Sequence, residues 1–185
     1  NTKFGNNIAN NDLYSIMLEF DSNYNSISRN TITNNSIGIQ LFISSNNNVI
    51  YGNNVTSNTG YAIMLGTSSN CTITGNIMAK SDFGLALRDS SHNNTVIGNN
   101  VVKNKVMGIF VGATAGDLGY SCINTIYHNN FARNVIQAET DSAADNTWDN
   151  GYPSGGNYWS DYNGTDLYSG PSQNKTGSDK IGDKP

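Results

Sequence analysis

The sequence predicts an all-β protein: a right-handed parallel β-helix of about six coils with an irregular, aromatic-rich C-terminal cap. Three observations carry this. The 185 residues include 32 Asn and 19 Gly, poor residues for helix interiors and strong ones for turns. Apolar residues recur with one period in three separate columns. Inside each short apolar stretch polar and apolar positions alternate, as in Ile37-Gly-Ile39-Gln-Leu41, the two-residue period of a strand.

The first column runs Ile27, Ile50, Ile73, Val96, Ile126, with three steps of 23 and one of 30. A second runs Ile8, Ile32, Val55, Ile77, Val101, Phe131, and a third Leu18, Leu41, Leu65, Leu87, Val111. A unit of this length, broken by Asn, Ser and Gly, suits three short strands and three turns, one coil per repeat. Helical repeats need longer helix-forming runs, and a leucine-rich repeat would show its fixed Leu positions. The long step places an insertion at Thr114–Ser121, read as a loop bulging from one coil. Six coils at about 4.8 Å each make a rod on the order of 29 Å long.

Asn25, Asn48, Asn94 and Asn124 keep step with the apolar columns, and Cys71 takes the same place in its coil. Stacked Asn side chains can hydrogen-bond along the coil axis and tolerate left-handed turns, so these four are read as a structural ladder. Asn1-Thr-Lys-Phe-Gly-Asn-Asn-Ile8 parallels Asn94-Thr-Val-Ile-Gly-Asn-Asn-Val101, so the sequence starts in mid-coil. A bare coil edge invites strand pairing. The expectation is a preceding segment over that edge, or other copies of the chain stacked through their coil ends.

Residues 1–147 are therefore assigned to the coils and 148–185 to a capping segment. That segment holds Trp148, Tyr152, Tyr158, Trp159, Tyr162, Tyr168 and all three prolines, a composition suited to sealing the last coil.

The Asn-rich repeats followed by WDNGYPSGGNYWSDYNGTD and GSDKIGDKP resemble archaeal NosD-like right-handed parallel β-helix proteins over the whole chain. The resemblance implies the fold and a secreted or cell-surface location. The same class has been described as a carbohydrate-binding and sugar-hydrolysis fold, and the NosD name carries a link to copper delivery.

Ten Lys+Arg against fourteen Asp+Glu give a net charge of -4, which argues against nucleic-acid or anionic-membrane partners. No apolar run approaches the roughly 20 residues of a membrane span. Six Asn-x-Ser/Thr sequons, at Asn34, Asn54, Asn70, Asn93, Asn163 and Asn174, are glycosylation candidates and fit an extracellular glycoprotein.

Sugar cleavage needs two carboxylates facing one linkage. Stepping each coil acid by one period finds no acid on acid: Asp21 leads to Ser44, Asp82 to Lys105, Asp89 to Gly112 or Ala113. Glu139, Asp141 and Asp145 form the densest acid group, read as a solvated turn. No catalytic residue is assigned, and a polysaccharide lyase or glycoside hydrolase is the third-ranked reading.

Lys80, Lys103 and Arg133 form one basic column. With Trp159, Tyr162 and Tyr158, whose rings suit sugar stacking, they are the glycan-binding candidates. Asp161, Asn163 and Asp166 offer closely spaced oxygens for a structural calcium, with Asp179 and Asp183 further on; no other cofactor is expected. His92 and Cys122 differ by one long step and make a weak copper pair. Cys71 and Cys122 fall two coils apart and are read as unpaired thiols.

The leading functional expectation is a secreted or cell-surface structural solenoid without catalytic activity, self-associating end to end into a filament or surface layer. The alternative is a glycan-binding module of the cell envelope.

Overall fold

A computed structural model describes residues 1–113, 123–141 and 145–181. The chain winds in laps of three strands, and each strand pairs in parallel with its equivalent on the next lap. The first sheet stacks Thr2–Phe4, Ser26–Ser28, Val49–Tyr51, Thr72–Thr74, Thr95–Ile97 and Thr125–Tyr127. The second stacks Asn7–Ala9, Thr31–Thr33, Asn54–Thr56, Ile77–Ala79, Asn100–Val102, Asn130–Ala132 and Tyr158–Trp159. The third stacks Tyr14–Leu18, Ile37–Leu41, Tyr61–Gly66, Phe83–Arg88, Met107–Gly112 and Ile136–Thr140. No helix occurs among the described residues. The solenoid fold is the one the repeat demanded.

The apolar columns line the interior. Ile27, Ile50, Ile73, Val96 and Ile126 are register partners in turn and fully buried. So are Leu41, Leu65, Leu87 and Val111, with the half-buried Leu18 beginning that series. Burying each such side chain contributes about 1.5–3 kcal/mol.

The second column needs one correction. Met78, not Ile77, is the partner of Val55 and Val101. Met78 is fully buried and Ile77 is 42% exposed. Of two adjacent apolar residues, β-propensity selects the branched one, but the side-chain alternation along the strand decides which faces inward. With Met78 in place the steps on either side of it are both 23.

The sequence-read ladder is present. Asn25 N–H donates to Asn48 Oδ1 at 2.7 Å, Cys71 N–H to Asn94 Oδ1 at 2.9 Å, and Asn94 N–H to Asn124 Oδ1 at 2.9 Å. It does not stand alone. A second ladder runs Asn6, Asn30, Asn53, Asn76, Asn99, Asn129, Asn157. A third runs Asn11, Asn35, Asn58, Ser81, Asn104, Asn134. Ser22, Ser45, Ser68 and Ser91 make a column whose carbonyls receive the side chains of Asn48, Cys71, Asn94 and Asn124. Buried turns leave backbone N–H groups that no strand can satisfy, and an amide side chain, donor and acceptor at once, fits that need.

The second sheet runs on into the segment read as the cap. Trp159 pairs with Phe131 and stacks on its ring, centroids 4.7 Å apart, while Trp148 tilts against Trp159 at 5.9 Å. These rings close the apolar interior at its C-terminal end. Beyond them, Tyr168–Ser169 and Lys175–Thr176 form a small antiparallel pair. The expected insertion at 114–121 lies outside the described residues.

Candidate functional site

Where the second-sheet strands from Asn7–Ala9 to Asn130–Ala132 turn toward the third sheet, one residue adopts the left-handed backbone: Asn10 (φ 60°), Asn34 (58°), Ser57 (60°), Lys80 (57°), Lys103 (58°) and Arg133 (58°). From Asn34 on, this conformation sends the next residue (Asn35, Asn58, Ser81, Asn104 or Asn134) inward to the third ladder. The turn N–H reaches the following lap: Ser57 to Ala79 O at 2.9 Å, Lys80 to Val102 O at 3.3 Å, Lys103 to Ala132 O at 3.0 Å. Arg133 N–H donates to Ser160 Oγ at 2.9 Å. The column therefore advances one strand spacing per lap, about 4.8 Å.

Lys80, Lys103 and Arg133, read from sequence as one basic column, stand exposed on three consecutive laps of this corner. The earlier laps carry neutral groups. There Asn11, Asp12, Asn34, Asn35, Ser36, Ser57 and Thr59 line a shallow hollow of about 300 Å³. Sequence reasoning missed it, because Asn and Ser are so common in this chain that nothing marks these five as special.

Two acids border the corner. Asp82 is bonded to Lys105, Oδ1 to Nζ 3.3 Å, as the one-period step predicts. Asp12 lies in the hollow, three laps or about 14 Å from Asp82, beyond the roughly 5–9.5 Å of a glycosidase pair. Just past the corner, Tyr61 and Phe83 stack with centroids 4.8 Å apart, a half-buried aromatic pair that the sequence did not single out.

The tail residues separate. Trp159 faces the interior stack and is not free to meet a sugar ring. Tyr158 pairs with Asn130 on the second sheet and is 62% exposed, and Tyr162 is exposed against Gly164. Asp166 is engaged by donors: Ser178 Oγ at 2.6 Å, Asp179 N at 3.1 Å and Lys180 N at 2.8 Å. These hold its carboxyl below the usual range, the Ser178 hydroxyl foremost. That chemistry closes a loop onto Ser178, Asp179 and Lys180, while Asp161 and Asn163, read with it as calcium candidates, are exposed. Asp183 lies outside the described residues.

Asp141, from the dense acid group, accepts the N–H of Ala113 at 2.6 Å, and Glu139 is exposed on the third sheet. All six sequon asparagines are exposed, and none belongs to a ladder. At Asn70 and Asn93 the sequon spacing follows from the coil itself: a left-handed turn residue, a ladder residue, then the first Thr of a strand.

The matched family now fits this architecture. Residues 1–164 match the family model described as periplasmic copper-binding protein (NosD). The chain belongs to this family. No curated protein matches it. Among solved structures, a double mutant of the periplasmic alginate epimerase AlgG is similar at 20% identity and a TM-score of 0.67, covering 79% of this chain and 41% of that one. A single mutant of the same enzyme gives 22% identity and 0.65, covering 78% and 38%. The NosD-like chain thus spans about two-fifths of those enzymes' length, and at this identity the likeness is one of fold.

Copper sites want clustered Met, His or Cys, and the described residues do not gather them. Met78 is interior, Met17 and Met64 lie two laps apart on the third sheet, and Met107 stands at that sheet's corner end. His128 Nε2 lies 2.8 Å from Ser154 O, and His92 sits in a turn where its N–H donates to Ser69 Oγ. Burial pushes the Cys71 thiol up to about 11, which keeps it protonated. Cys122, the expected partner of His92 and the thiol compared with Cys71, lies outside the described residues. No three His, Cys, Asp or Glu converge among the described residues.

Proposed function

We propose that this NosD-family chain is an extracytoplasmic module that binds an acidic polysaccharide of the cell envelope along the corner between its second and third sheets. One observation carries the reading: Lys80, Lys103 and Arg133 occupy successive laps of a column that runs into a hollow lined by Asn34, Ser36, Ser57 and Thr59. Amides and hydroxyls suit sugar hydroxyls, and cations suit carboxylate or sulfate groups. The family's periplasmic description and the alginate-acting enzymes among the structural matches support both the location and the ligand class.

Binding without cleavage is the reading favoured at this corner. Its acids are spread over separate laps, and Asp82 is held by Lys105. It is also favoured over end-to-end assembly as the primary role, because the corner is complete within one chain.

The test is calorimetric titration with a polyuronate and with a neutral glucan of equal length. Binding of the first but not the second is expected. The triple variant Lys80→Gln, Lys103→Gln, Arg133→Gln should abolish it. Equal binding of both polymers, or binding untouched by the triple variant, would refute the reading.

A further inference from the structure

Resting on that reading, we infer that the corner measures charge period: it selects polymers with one carboxylate on every sugar, laid parallel to the coil axis. Lys80, Lys103 and Arg133 share one turn position and one left-handed φ, and the bonds Lys80 N–H to Val102 O and Lys103 N–H to Ala132 O tie each of these corners to the next lap. Their Cα atoms therefore repeat at the strand spacing of about 4.8 Å, which is comparable to the advance of one sugar ring in an extended chain. A homopolymer of uronic acids carries a carboxylate on every ring that passes the cations. A polymer acidic on alternate sugars can meet Lys80 and Arg133, but it faces Lys103 with a neutral ring.

The neighbours sharpen the comb. Lys105, on the same lap as Lys103, is neutralised by Asp82 at 3.3 Å and adds no competing charge out of step. Past Arg133, whose N–H meets the neutral Ser160 hydroxyl, the second sheet ends with Tyr158–Trp159 and adds no further cation to the column. On the other side Ser57 and Asn34 replace cations by neutral donors. The cationic site is thus three sugars long.

The experiment uses uronic-acid oligomers of two to six sugars, an alternating uronate–neutral polymer at matched total charge, and the intact chain. Each exposed charge pair changes affinity roughly threefold. Affinity for the homopolymer series should rise from two to three sugars and change little beyond. The alternating polymer should bind at least threefold more weakly. Lys103→Gln should weaken the homopolymer roughly threefold and leave the alternating polymer unchanged. Ser57→Lys, at a φ that Lys80 already adopts, should move the plateau to four sugars.

If both polymers bind equally and both lose affinity with Lys103→Gln, the corner binds acidic glycans but does not measure their period, and this inference falls while the proposed function stands. If neither polymer binds, the proposed function itself falls. Circular dichroism of each variant separates lost binding from lost fold.

Discussion

Asn76 accepts two hydrogen bonds from Asn53 on one side-chain oxygen: the backbone N–H at 2.9 Å and the side-chain amide at 2.9 Å. Its own amide donates back to Ile50 O at 2.9 Å. Its backbone N–H and side-chain amide also donate to Asn99 Oδ1 at 2.9 and 3.0 Å, so that one residue ties three laps. Asn76→Ala would leave the buried Asn53 N–H without its partner, at about 1–3 kcal/mol, and would remove one bond each from Asn53 Nδ2, which keeps Ile27 O, and from Ile50 O. Chemical denaturation should show a loss of about 2–4 kcal/mol, against less than about 0.5 kcal/mol for Asn54→Ala on the exposed face.

Two ladders carry a weak rung on the same lap. At Cys71 the column offers a thiol where its neighbours offer an amide oxygen, and at Ser81 a hydroxyl receives Asn58 N–H while Asn58 Nδ2, buried, has no partner. Cys71→Asn supplies an acceptor toward Asn48 and replaces the weak thiol donor to Ser45 O by an amide, and Ser81→Asn supplies an acceptor toward Asn58 Nδ2. Each should raise stability by about 1 kcal/mol, read as a shift in denaturation midpoint. A fall for both would mean that the site is too tight for the larger side chain.

The Cys71 thiol should resist alkylation in the folded chain at pH 7 to 8. It is 1% exposed and its ionisation is pushed up to about 11 by burial. Labelling at the rate of a free peptide thiol without denaturant would contradict its place in the ladder.

Asp166 should make the tail acid-sensitive while the coils stay intact. Its folded carboxyl lies below the usual value, so the stabilisation is present above the unfolded pKa of about 3.9 and is lost as pH falls through the lower, folded value. Amide chemical shifts of Ser178, Asp179 and Lys180 should move below about pH 4. In Asp166→Asn that titration should disappear. Movement of the ladder amides over the same range would place the transition elsewhere.

Much of this architecture was legible because the coil repeats one residue pattern, so that residues 23 apart become neighbours. The Ile27 and Leu18 columns, the Cys71 rung and the Asp82–Lys105 contact all follow from that step. The other ladders were hidden by doubled asparagines. In Asn53-Asn54, Asn99-Asn100 and Asn129-Asn130, the first residue faces in and the second faces out, and composition cannot rank them. Ile77 displaced Met78 for a related reason, two apolar neighbours competing for one inward position. The cation column was visible because Lys and Arg are scarce here. Its polar continuation was not, since Asn, Ser and Thr fill every turn. Trp159 looked like a sugar platform until its stack on Phe131 showed it to be part of the interior.

The most direct measurement is an amide chemical-shift map of the intact chain titrated with a polyuronate. Perturbations should concentrate at residues 57–60, 80–82, 103–105 and 133–135, on consecutive laps of one corner. Shifts gathered on the first sheet or in the tail, with that corner silent, would contradict the account.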